Sequence, residues 1–228
     1  MIVTSEHKIM KLDEEKRDRI INASMTEFNK GYDKASTDII VREAGISKGL
    51  LFHYFTSKEK LHDFIVAYSI EVIVKEFFDL IDFGQKDFLK RIWQMILLKL
   101  DLSYKYPVMF DFVTTVYSEQ KSDSLKEIKL DIFNKIAPKV FLDIDETLFR
   151  EDIDVKTAVN IIYWAYVGYS TSQLERIGSP DISKYQKEYS VFLEEIEKTF
   201  AVFRKTFYKQ SDMGIPELIP RPIYKEEV

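Results

Sequence analysis

Apolar residues recur at steps of three and four along most of the chain, the spacing typical of amphipathic α-helices. The clearest case is the run from Tyr185 to Phe207, which forms one continuous apolar stripe. Only 7 Gly and 6 Pro occur in 228 residues, too few turn residues for a sandwich, a barrel or a Rossmann sheet. The sequence therefore predicts an all-α protein. The predicted helices span about 13–30, 37–44, 48–55, 58–82, 86–105, 107–120, 124–137, 154–177 and 183–209.

Residues 36–58 predict a helix-turn-helix. Two short helices flank Gly45, which suits a tight left-handed turn, and Ser47 is placed to cap the second helix. A helix presented in this way fits the major groove of DNA. Gly49 adds no side chain between helix and duplex, and Lys48 offers a positive charge to a phosphate.

Further candidate DNA contacts surround that second helix. Leu50 is placed to meet a base edge or a thymine methyl group, and His53 and Tyr54 offer polar tips at the far end. Lys58 begins the next helix, where free N–H groups attract anions, and Ser36 and Thr37 begin the first helix of the pair. The plainer alternative is a helical bundle that needs the same caps, glycine turn and aromatic core without binding DNA.

Charge and composition restrict the other classes of function. The net charge is −5, but residues 1–60 hold 11 basic against 10 acidic residues, so the acidic excess lies in the rest of the chain. The absence of Cys excludes thiolate metal sites, disulfides and cysteine nucleophiles, and the three scattered His predict no metal site. We see neither a membrane-spanning run nor a secretory signal and expect a cytoplasmic protein without a cofactor.

Residues 13–65 resemble the N-terminal domain of the tetracycline-repressor (TetR) family of bacterial regulators. The resemblance covers about a quarter of the chain. It is carried, in order, by Phe28-Asn29-Lys30-Gly31-Tyr32, Ser36-Thr37, Glu43-Ala44-Gly45-Ile46-Ser47-Lys48-Gly49, His53-Tyr54-Phe55 and Ser57-Lys58-Glu59-Lys60-Leu61.

This resemblance implies a dimeric, all-α regulator, usually a repressor, whose C-terminal domain binds a small molecule that weakens its affinity for operator DNA. It divides the chain into a DNA-binding domain, 1–60, and a helical effector-binding and dimerisation domain, 61–228. The positions matched to backbone contacts are Thr37, Lys48, Tyr54 and Lys58, and those facing the groove are Ser47, Leu50 and His53.

Two positions depart from the family pattern. Phe52 stands where the family often has a phosphate-binding Tyr, so one hydrogen bond to DNA is lost. Leu50 replaces a smaller or polar residue, which suggests apolar readout of the bases. Both departures leave the operator sequence open.

The long helices at about 154–177 and 183–209 predict a subunit interface. The first of them is apolar nearly all round, which fits burial against both its own core and a second subunit. Aromatic residues on the middle helices predict a cavity for an apolar or aromatic effector, although the same rings would serve an ordinary core. These low-specificity candidates are Trp93, Phe110, Tyr117, Phe133, Tyr163 and Trp164.

Two other functions compete with DNA binding. The segment from Val140 to Phe149 is similar to the first motif of haloacid-dehalogenase-type phosphatases, in which Asp143 and Asp145 would be nucleophile and general acid beside Mg²⁺. That chemistry needs a parallel sheet, and the helical periodicity that follows Phe149 argues against one. The other alternative is that the fold serves a protein partner rather than DNA.

Overall fold

The helices of the computed structural model follow the predicted periodicity. The structure describes residues 6–119, 138–177 and 182–209, and the regular secondary structure in those ranges is helical. One antiparallel bridge joins Phe149 to Tyr208. The predicted helix at 124–137 and the tail after residue 210 lie outside the described residues. The α-helices are α1 (Glu14–Phe28), α2 (Thr37–Ala44), α3 (Lys48–Tyr54), α4 (Lys58–Leu80), α5 (Phe88–Lys105), α6 (Pro107–Glu119), α7 (Val155–Ile177) and α8 (Ile182–Phe207).

Side-chain caps fix the starts of α1, α3 and α4. Asp13 Oδ1 accepts a hydrogen bond from Lys16 N at 3.2 Å before α1, and Ser47 and Ser57 do the same before α3 and α4. Such caps satisfy N–H groups that have no partner inside the helix. At the other end of α1, Gly31 follows Phe28 within three residues and has a φ of +96°, so the helix ends slightly before the predicted position.

The chain forms two compact units. Of the described residues, 6–79 and 105–119 belong to the first unit. A short 3-10 helix, Lys8–Lys11, adds the fully buried Ile9 to its core. Other fully or nearly fully buried members of that core are Ile20, Phe28, Ile40, Leu51, Phe55, Leu61, Phe64, Ile65 and Phe112.

The first unit extends past the predicted domain boundary at residue 60. Leu61, Phe64 and Ile65 of α4 are buried with the N-terminal helices, and α6 packs against α1. Helices α1, α2 and α3 are short and gain most of their stability from packing, so their apolar faces need α4 and α6 as partners. The division of functions between 1–60 and 61–228 stays a prediction.

In the second unit, which holds 80–104, 138–177 and 183–209 of the described residues, a buried arginine organises the loops. Arg91 is fully buried and donates hydrogen bonds to four backbone carbonyls. The distances from its guanidinium nitrogens are 3.1 Å to Phe83 O, 2.8 Å to Gln85 O, 2.8 Å to Val140 O and 2.6 Å to Leu142 O.

An ion pair ties the last helix of the second unit to the start of α5. Arg204 Nη2 lies 2.7 Å from Asp87 Oδ2, and Asp87 Oδ1 caps α5 by accepting from Leu89 N at 3.1 Å. The Tyr208 hydroxyl donates to the same carboxylate at 3.3 Å. Burial, helped by the negative charge of Asp87, raises the pKa of Tyr208 far above its ordinary value. None of the helices within the described ranges has the length and apolar character that crossing a bilayer requires.

Candidate nucleic-acid interface

The turn between α2 and α3 depends on a left-handed glycine. Gly45 has φ +64° and ψ +40°, and Ile46 N donates to Val41 O at 3.0 Å to close the end of α2. An L-residue pays a steric cost in this conformation and glycine does not. Ser47 is extended and its Oγ accepts from Leu50 N at 3.2 Å. The chain therefore leaves α2 and starts α3 within three residues, as predicted.

Helix α3 has a buried face and an open face. Leu51 and the adjoining Phe55 are each 1% exposed and anchor the helix to the core. The residues at its N-terminal end, together with one residue a turn further on, are exposed: Ser47, Lys48, Gly49 and His53. A Cβ added to Gly49 would meet no atom of the chain within 4 Å. The packing of this unit therefore does not require a glycine here.

The remaining predicted groove residues are less open. Leu50 is half-buried, and so is Tyr54, whose ring packs against the core and meets His53 edge-on at 5.1 Å between centroids. Part of each side chain still reaches the surface beside the open face of α3.

Lys48 is engaged by a carboxylate of the preceding helix. Its Nζ lies 2.7 Å from Oδ1 of Asp38, in the first turn of α2. The side chains are 53% and 71% exposed, respectively, so the pair stands in solvent, where such pairs contribute little to stability. The cation predicted to meet a phosphate is therefore already paired in the free protein.

Lys58 is held by an aromatic ring. Its Nζ lies 4.6 Å from the centroid of the Tyr32 ring, a cation–π contact between the start of α4 and the turn after α1. Burial, followed by the carboxylates of Glu59, Asp63 and Asp33, raises the pKa of Tyr32. Ser57 Oγ caps α4 by accepting from Lys60 N at 3.1 Å.

A buried glutamate positions the start of α2. Glu27 is 3% exposed, pairs with Lys30, and accepts a hydrogen bond from Ser36 N at 3.1 Å. Ser36 is the N-cap residue of α2, but its hydroxyl makes no capping hydrogen bond. Thr37 follows it, half-buried, as the first residue of α2.

Sequence reasoning missed the residues that hold these side chains. From the sequence, Asp38 is an acidic residue in the first turn of a helix, where it stabilises the helix N-terminus. No feature of the neighbouring sequence indicates its ion pair with Lys48. Tyr32 belongs to the motif that carries the family resemblance, but its contact with Lys58 spans 26 positions. For Glu27, the only sequence feature that indicates burial is the set of apolar residues around it on α1.

The effector candidates do not fall in one compact unit. Trp93 is buried and meets Phe200 edge-on at 6.0 Å, and Tyr163 is half-buried and meets Phe141 edge-on at 5.0 Å, both within the second unit. Trp164, also in that unit, is 66% exposed and so does not line its interior. Phe110 is half-buried in the first unit. Phe133, and the side chain of Tyr117, lie outside the described residues.

The phosphatase-like segment forms a turn and a 3-10 helix. Asp143 has a φ of +52° and lies 3.4 Å from Lys86 Nζ. Asp145 Oδ1 accepts from Thr147 N at 3.0 Å and caps the 3-10 helix Glu146–Leu148; the hydrogen bonds from Thr147 lower the pKa of Asp145. No parallel strand flanks this segment in the described part of the chain, so the nucleophile geometry of the phosphatases is not supported.

Comparison with known proteins agrees with this geometry. Residues 20–63 match the family model described as bacterial regulatory proteins, tetR family. The nucleoid occlusion factor SlmA of Vibrio campbellii is 22% identical over 173 residues, which are 75% of this chain and 87% of that protein.

Solved structures show the same fold over most of the chain. A TetR family transcriptional regulator from Chloroflexus aurantiacus superposes with a TM-score of 0.55 at 19% identity, covering 89% of this chain and 97% of its own. The ketosteroid transcriptional regulator KstR2 of Mycobacterium tuberculosis superposes with a TM-score of 0.54 at 17% identity, covering 88% and 98%. Residues 20–63 therefore match the tetR family model, and the described helices share the fold of solved TetR-family regulators.

Proposed function

We propose that the chain is a DNA-binding transcriptional repressor of the cytoplasm, released from its operator by a small molecule, and that it catalyses no reaction. The observation that carries the proposal is the open N-terminal end of α3, with Lys48 and Gly49 exposed above a buried anchor at Leu51. A short helix anchored on one face and open on the other meets the requirement for entering a major groove.

The proposed contacts divide into positioning and readout. Lys48 and Lys58 supply phosphate contacts, with Thr37 and Tyr54 beside them, and these orient the domain without reading sequence. The base sequence is read by the residues that face the groove at the open end of α3 and beside it. That set is Ser47, Gly49, Leu50 and His53, with Ser36 at the start of α2.

We propose that α7 and α8 form a two-fold interface with a second copy of the chain. On α7, Ile161, Trp164 and Gly168 are exposed at spacings of three and four, so they share one side of the helix. A Cβ at Gly168 would meet nothing of its own chain within 4 Å, which leaves room for close approach of a partner helix. On α8, Val202 is 61% exposed. Apolar side chains left open on long helices favour burial by a second subunit.

The effector is proposed to bind in the second unit. Buried rings there, Trp93 against Phe200 and Tyr163 against Phe141, favour an apolar or aromatic molecule. KstR2, which shares the fold, is named for ketosteroids, a class with that character. We infer that the effector acts by favouring a conformation whose two recognition helices no longer match the half-site spacing, about 34–36 Å in a two-fold complex.

The test is selection of bound duplexes from a randomised library, followed by binding measurements at several salt concentrations. Two lysines in each domain give four phosphate contacts in a dimer and a log–log salt slope of about −3.6. Lys48→Ala should weaken binding to all sequences and reduce the magnitude of the slope by about 1.8. Leu50→Ala should change the preferred sequence instead.

Lys75→Ala is the matched control. Lys75 is exposed on α4, about 25 Å along that helix from Lys58, which exceeds the screening length of about 10 Å at 0.1 M salt. Its removal should leave DNA affinity nearly unchanged. No enrichment in the selection, or binding that ignores salt, would refute the proposal and favour a protein partner.

A further inference from the structure

An acidic side chain stands on the surface proposed to meet the DNA backbone. Asp38 follows Thr37 in the first turn of α2, and its carboxylate Oδ1 lies 2.7 Å from Lys48 Nζ across the turn. Both side chains are more than half exposed. The carboxylate therefore occupies the position of a phosphate oxygen relative to the lysine that we assign to phosphate binding.

We propose that Asp38 is a positioning residue that holds Lys48 in the free protein and thereby limits the affinity of the domain for DNA of any sequence; this rests on the proposed function. A lysine ammonium is a compact point charge that carboxylate and phosphate oxygens bind alike. When DNA docks, Lys48 must exchange or share its carboxylate partner. The free energy needed to break the Lys48–Asp38 ion pair opposes binding.

A purely structural role for Asp38 makes a different prediction. An acidic residue in the first turn stabilises a helix through the helix dipole, and this accounts for an acid at position 38 without reference to Lys48. In that case, replacing Asp38 with Asn changes thermal stability slightly and leaves DNA affinity unaltered. Only a role through the ion pair with Lys48 predicts that Asp38→Asn changes the affinity for DNA.

The experiment is fluorescence anisotropy with a labelled duplex of mixed sequence, about 30 base pairs long so that it spans two half-sites. Asp38→Asn should bind more tightly by about two- to fivefold for each bound domain, the range expected when an exposed ion pair no longer has to be broken. For a dimer the gain is about four- to twenty-fivefold.

Glu43→Gln provides the matched control. Glu43 lies at the other end of α2 and forms an exposed pair with Arg42 at 2.8 Å, so its replacement removes one negative charge from the same helix without freeing Lys48. Its DNA affinity should stay close to that of the wild type.

A double-mutant cycle decides the mechanism. In the Lys48→Ala background, Asp38→Asn should give no gain in affinity, because there is no lysine to release. A gain that persists without Lys48, an equal gain from Glu43→Gln, or unchanged or weaker binding by Asp38→Asn would each overturn the inference. Failure of the proposed function is a separate result, since the wild-type protein would then show no salt-dependent DNA binding.

Discussion

Protonation of a buried histidine should destabilise the first unit in mild acid. His62 of α4 is 8% exposed and lies among three aromatic rings. The ring centroids of Phe28, Tyr32 and Phe112 are 4.8, 5.0 and 5.8 Å from its own. Burial among these rings lowers the pKa of His62 from 6.5 to about 4, with Lys58 adding to the decrease and Asp63 opposing it.

The size and sign of the effect follow from the two pKa values. The unfolded chain binds a proton at His62 below pH 6.5, whereas the folded chain resists it until about pH 4. The stability provided by the neutral ring is therefore complete above pH 6.5 and is lost as pH falls toward 4. Because each pKa unit corresponds to about 1.4 kcal/mol, the loss is about 2 kcal/mol at pH 5 and about 3 kcal/mol below pH 4.

Two measurements test this. Urea denaturation from pH 7.5 to 4.5 should show the wild type losing about 2 kcal/mol more than His62→Phe by pH 5; His7, whose pKa burial also lowers, is present in both proteins and cancels. His53→Asn, at an exposed position, is the control and should follow the wild type. An NMR titration of the His62 ring that gives a pKa of 6.5 or higher would refute the reasoning.

Three substitutions test the turn, the open helix end and the proposed subunit interface. Gly45→Ala should lower the free energy of unfolding by about 1 kcal/mol because φ is +64° there; a more stable protein in urea denaturation would contradict this. Gly49→Ala should leave that free energy unchanged or raise it by up to about 1 kcal/mol, while DNA affinity falls roughly tenfold; full affinity would remove Gly49 from the interface. Trp164→Glu should weaken dimerisation by about 2 kcal/mol or more, roughly thirtyfold, as for an aromatic residue central to an interface; an unchanged dissociation constant in analytical ultracentrifugation would exclude that role.

Local chemistry explains why much of the fold was predictable. Helix starts depend on caps that lie within three residues of the groups they satisfy, as at Asp13 and Ser47. The α2–α3 turn depends on the backbone freedom of Gly45 and on the nearby Ser47 cap. Because such features depend only on short stretches of sequence, the predicted bounds of the described helices agree with the structure to within about two residues.

Contacts between distant residues were not predictable from one sequence. The pair of Lys48 with Asp38 and the contact of Lys58 with Tyr32 arise only when separate helices pack. The same is true of Trp164, which was predicted to line a cavity because it is an aromatic residue on a middle helix, and which the fold leaves two-thirds exposed. Periodicity identifies the apolar positions of a helix, but which of them a subunit buries depends on the other helices.

The two lysines proposed to hold the DNA backbone are governed by different parts of the first unit. Lys48 forms an exposed ion pair with Asp38, which salt screens. Lys58 instead makes a cation–π contact with Tyr32, whose ring packs against His62 in the core. Salt and charge substitutions should therefore act mainly through Lys48. Changes that repack or charge the aromatic cluster around His62 should act mainly through Lys58, because the ring beneath that ammonium moves with the cluster.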